Sequence, residues 1–74
     1  MLPLAFAKTG EEVVIRKIGG KDEIKRHLEN LGFVVGGTVT IVNEASGNLI
    51  VNVKESRIAI SKEMAAKISV QAEG

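Results

Sequence analysis

Between residues 28 and 42 the chain reads LENLGFVVGGTVTIV, and within that stretch it stops being a helix and becomes a strand. Upstream, KDEIKRHLENLG sets Ile24, Leu28 and Leu31 at i, i+4 and i+7, a single apolar stripe with charges elsewhere. This predicts one helix over about 21–31, with Asp22 and Glu23 at the positive end of its dipole. Gly32 is the stop signal. With Gly32 at C′, Phe33 falls at C″ and Leu28 at C3, the pair that touch in a Schellman cap.

Every other ordered segment is short and rich in β-branched residues. EEVVIRKI after Gly10 is the first strand, and a bulge near Arg16 would let Ile15 and Ile18 both face inward. TVTIVN puts Val39 and Ile41 on one face, and LIVNVK does the same with Leu49, Val51 and Val53. Ser46, Gly47 and Asn48 supply the hairpin turn between them. RIAI turns Ile58 and Ile60 to the core, Ser61 caps a helical turn over about 62–66, and KISV is a last strand. About five short strands with one inserted helix leave too many edges for a flat sheet. The expected fold is mainly β, a small, partly open barrel.

Seventy-four residues make one expected domain, 1–74, with an ordered core over about 9–70 and a frayed tail at 71–74. There is no cysteine to form a disulfide or a thiolate zinc site. The apolar opening MLPLAFAKTG lacks the basic region of a signal peptide and is expected to pack onto the domain. No apolar run approaches the roughly 20 residues of a membrane-spanning helix. A net charge of +1 argues against nucleic acid as the main partner, and Phe6 and Phe33 are the only aromatic residues available for stacking.

No residue set suggests catalysis. IGGKDE lies between a strand and a helix like a phosphate loop, but the pattern needs glycine where Ile15 stands, so it reads as a plain turn. The serines at 46, 56, 61 and 69 have no base at a predictable distance, and no enzyme activity is expected. His27 is the sole imidazole, with Glu23 one helical turn before it. The pair could give two metal ligands where a site needs three or four, and the competing reading is a solvated histidine beside the apolar stripe. Met64 reads as a gap-filler.

Two features stay unassigned. Arg16, Lys17, Lys21, Lys25 and Arg26 gather positive charge around the first strand and the helix start, a solvated face or a contact for an acidic protein surface or anionic leaflet. Val34 and Val35 lie beyond the helix cap, where they either tuck under the helix or form an apolar docking tip.

In order and spacing, Leu31-Gly32, Gly36, Gly47, Ile58-Ala59-Ile60, Ala65 and Ile68-Ser69-Val70 resemble the FeoA family of bacterial ferrous iron uptake. The resemblance runs from about residue 9 to 70. Val35 and Asn48 stand where that family often has proline, which touches turn rigidity more than fold. The resemblance implies an SH3-like barrel, a cytoplasmic location, and an accessory role beside a membrane ferrous iron transporter with a cytoplasmic GTPase domain. It also implies possible contact with Fe(II) or another divalent transition metal. The same domain type forms the C-terminal module of iron- and manganese-dependent repressors, so a metal-sensing module is the rival reading. A peptide-binding adaptor is disfavoured by the missing Tyr and Trp.

Overall fold

A computed structural model describes residues 1–72. Six strands form one sheet: β1 (Leu2–Pro3), β2 (Glu12–Ile18), β3 (Thr38–Ala45), β4 (Asn48–Val53), β5 (Ser56–Ser61) and β6 (Ile68–Ala72). Helix α1 (Asp22–Leu31) is inserted between β2 and β3, and the single turn α2 (Lys62–Ala65) follows β5. The strands pair antiparallel in the order β1-β6-β2-β3-β4-β5, so the sheet does not close on itself. Its two edges come from opposite ends of the order, and α2 packs on both β5 and the 3-10 turn (Leu4–Phe6) that follows β1.

The inward faces are those that alternation predicts. Val39, Ile41, Leu49, Val51, Val53, Ile60, Ile68 and Val70 are all buried. In β2 the register slips between Ile15 and Lys17, so Ile15 pairs with Val70 and Lys17 with Ser69. This bulge at Arg16 brings Val13, Ile15 and Ile18 to the same interior, as the uneven spacing of the apolar residues required. The β3–β4 reversal is a two-residue loop with φ of 50° at Ser46 and 81° at Gly47, the mirror-image turn whose twist suits a hairpin.

Helix α1 ends as a Schellman cap. Gly32 has φ 109° and ψ 1°, its N–H donates to the Glu29 carbonyl, and the Phe33 N–H donates to the Leu28 carbonyl at 2.9 Å. Phe33 and Leu28 are both fully buried. The helix lies on the sheet through that stripe, with Ile24 and Leu31 half-buried at its margins.

Four expectations change. Among the described residues there are six strands rather than about five, because Leu2 and Pro3 pair with Val70 and Ser69. The ordered region therefore begins before residue 9, and Leu4 is a fully buried core residue. The opening segment packs only in part, since Met1 and Phe6 are 77% and 75% exposed. At the other end, the frayed tail expected from Gln71 is not seen at Gln71 and Ala72, which pair with Val14 and Val13. Their polar or small side chains contribute little, but backbone pairing to a central strand holds them. Residues 73 and 74 of that expected tail lie outside the described residues.

Candidate docking groove

The chain leaving the helix cap makes a tight turn. The Gly37 N–H donates to the Val34 carbonyl at 3.0 Å, and Gly36, third in the turn, has φ 90°. Positive φ at the third of four residues marks a type II turn, which needs glycine there and favours proline at the second position. Val35 occupies that second position. Gly37 has its own constraint: a Cβ there would meet the Val34 carbonyl oxygen at 3.1 Å and Val34 Cγ2 at 3.2 Å.

Strand β2 pins the turn at both glycines. The Gly36 N–H donates to the Ile15 carbonyl, and the Ile15 N–H donates to the Gly37 carbonyl, each at 2.8 Å. The apolar tip is thus held on a rigid strand. Val34 is half-buried, and Val35 is 64% exposed. The two valines do not both tuck under the helix.

Beside this tip lies an open groove of about 370 Å³ lined by Ile18, Lys25, Glu29, Val34 and Val35. Ile18 arrives from the end of β2, just past the bulge. Lys25 and Glu29 stand one helical turn apart on one flank of α1. Among the described residues, the sole ion pair joins Lys62 to Glu44, so neither charge of the groove is neutralised by a salt bridge. Apolar walls with two available charges can take an apolar side chain and orient the group that carries it.

The other basic candidates do not share the groove lining. Arg16 points to β6, where its Nε donates to Gln71 Oε1 at 3.0 Å. Lys17 is exposed beside it, Lys21 is the exposed N-cap residue of α1, and Arg26 is exposed about 100° further round the helix from Lys25. Glu29 and Ile18 were absent from the sequence candidates. Glu29 could have been found from its i+4 spacing to Lys25, whereas Ile18 is brought there by the sheet alone.

Glu23 and His27 are exposed, and helical spacing sets both roughly 160° round α1 from Lys25, away from the groove. Among the described residues, no cluster of three or more His, Cys, Asp or Glu could hold a metal ion. The residues present therefore do not fit a resident metal within one described chain. The glycines of IGGKDE carry the chain through a bend at Gly20 into α1, with the Gly19 N–H donating to the Lys67 carbonyl at 2.7 Å. Ser61 caps α2 by accepting the Met64 N–H. No helix among the described residues is long and apolar enough to cross a membrane.

Comparison with known proteins agrees with this architecture. The FeoA domain family matches residues 2–72. A curated relative from Methanocaldococcus jannaschii, provisionally named Fe(2+) transport protein A, is 38% identical over 71 residues, 96% of this chain and 87% of its own length. Among solved structures, the zinc-complexed FeoA of Stenotrophomonas maltophilia, described as an SH3 domain protein, superposes with a TM-score of 0.80. It is 26% identical, and the match covers 96% of this chain and 91% of that one. A manganese-dependent transcriptional repressor reaches a TM-score of 0.87 at 14% identity, over 96% of this chain and 41% of its own, a likeness of fold alone. With nearly its whole length matched by family and by curated relative, the chain belongs to the FeoA domain family.

Proposed function

We propose that this chain is a cytoplasmic, non-enzymatic accessory protein of ferrous iron uptake. It docks on the cytoplasmic GTPase-bearing part of a membrane iron transporter. Family membership and the name of the curated relative support the iron-transport role. The observation that carries the docking mode is Val35, exposed at the tip of a turn anchored twice to Ile15 and overhanging the groove. A rigid apolar tip loses little conformational freedom on binding, which is the main cost such a contact must overcome. Fe(II) is the transporter's cargo in this reading and needs no ligand set on this chain.

The experiment is a titration of the transporter's isolated cytoplasmic part with wild-type protein and with Val35→Asp. Loss of binding by a folded Val35→Asp supports the reading. Equal binding by the two proteins sinks the groove as the docking site.

A metal-sensing module is the second reading. It is favoured by the zinc-complexed relative and by the repressor fold, with Glu23 and His27 as its candidate ligands among the described residues. Two ligands fall short of a tight site, so this reading requires ligands from outside the described chain.

A further inference from the structure

Strand β5 is an edge strand without the protection edges usually carry. Its partner on one side is β4, in the register Val53↔Ser56, Asn52↔Arg57, Val51↔Ile58, Ile50↔Ala59, Leu49↔Ile60 and Asn48↔Ser61. The reversal between them has two residues, Lys54 and Glu55, so Val53 and Ser56 close it as a hydrogen-bonded pair. Alternation then makes Ile58 and Ile60 the other bonded positions. The backbone groups of Arg57, Ala59 and Ser61 point away from β4. The contact of Arg57 Nε with Asn52 Oδ1 at 3.4 Å fits this phase, because side chains approach most closely across a non-bonded pair. Among the described residues, no backbone group outside β4 bonds to Arg57 or Ala59, and Ser61 bonds outside β4 as the N-cap of α2, its Oγ accepting the Met64 N–H.

Edges are normally blunted by lysine, proline, a bulge or shortness. β5 has six residues, no proline, no bulge and one charge, Arg57. The opposite edge is different. β1 has only Leu2 and Pro3, and proline has no N–H to donate. Head-to-tail pairing of β5 with another copy's β1 is therefore poorly supported, which leaves β5 to meet its own kind.

We propose that β5 pairs antiparallel with β5 of a second copy about a two-fold axis at Ala59. That register is the one the free groups dictate, since Ala59 faces Ala59 of the partner copy and Arg57 faces Ser61. The two arginines lie at opposite ends of the ladder, four positions or roughly 13 Å apart at the rise of a strand. That exceeds the screening length of about 8–10 Å at physiological salt, so like charge does not oppose the pairing. The contact is small beside the roughly 1,200–2,000 Å² of stable complexes, so the dimer is weak and depends on concentration. This inference is independent of the groove on α1.

Sedimentation velocity from micromolar to millimolar protein tests it, with hydrogen exchange read at the Arg57 and Ala59 amides. Wild type should shift from monomer to dimer, and those two amides should gain protection as it does. Ala59→Pro removes two symmetry-related donors facing away from β4, so the fold is retained and dimer affinity drops about tenfold or more. If the proline disturbs β4, Ala59→Lys gives the same answer by placing like charges directly opposite. A chain that stays monomeric at millimolar concentration overturns the proposal. So does a dimer that neither folded variant weakens, or one in which the Ala59 amide remains unprotected.

Discussion

The Phe33 amide donates to the Leu28 carbonyl at 2.9 Å, and the two side chains are both fully buried. One pair of residues thus ends the helix, satisfies one of its last carbonyls and seats it on the sheet. Phe33→Ala removes the largest fully buried side chain and should cost about 3–5 kcal/mol. Small domains have modest stability to lose, so urea denaturation should find the variant largely unfolded without denaturant.

Gly32 holds the cap in the left-handed region at φ 109°. A Cβ there would find ordinary contacts, the nearest being Val53 Cγ1 at 3.6 Å, so strain in the backbone decides the outcome rather than collision. Gly32→Val should destabilise by roughly 1–3 kcal/mol in thermal melts. An unchanged melting temperature would remove the cap assignment.

Val35 fills the turn position that favours proline, and its N–H bonds to no backbone carbonyl among the described residues. Val35→Pro should therefore raise stability by about 0.4–1 kcal/mol, by restricting the unfolded chain. Gly37→Ala, one turn position beyond Gly36, should lower it because the new methyl crowds Val34. Chemical denaturation of the two variants side by side checks both signs.

Lys21 and Arg26, exposed and outside the groove lining, separate encounter from contact. With a transporter's cytoplasmic part as partner, Lys21→Glu with Arg26→Glu should mainly slow association, and added salt should shrink the difference from wild type. Val35→Asp should weaken binding at every ionic strength, because it replaces the apolar contact with a carboxylate that must be desolvated. Stopped-flow association over a salt series distinguishes the two patterns.

Anaerobic calorimetric titration with Fe(II) or Zn(II) is expected to show no tight, stoichiometric site on the monomer, given two candidate ligands. A micromolar or tighter site abolished by His27→Ala would favour the sensing reading over docking.

What the sequence determined by itself was local and periodic. The spacing of Ile24, Leu28 and Leu31, the glycine after them, and the alternation in β3 and β4 each depend on neighbours within one element, so their consequences could be read directly. Even the bulge at Arg16 was legible, because no regular strand can bury both Ile15 and Ile18. The tertiary structure decided what depended on pairing across the chain. Leu2 and Pro3 became a strand only because β6 offered an edge, and Ala72 stayed ordered only because β2 lay beside it. Val34 and Val35 had no periodicity to follow. Two hydrogen bonds to Ile15, about twenty residues away in sequence, hold the turn that carries them and leave one valine half-buried and the other in solvent. Residues as far apart as Ile18 and Val35 line one groove because α1 returns the chain to the side of β2, where Ile15 holds the turn, a relation no local pattern encodes.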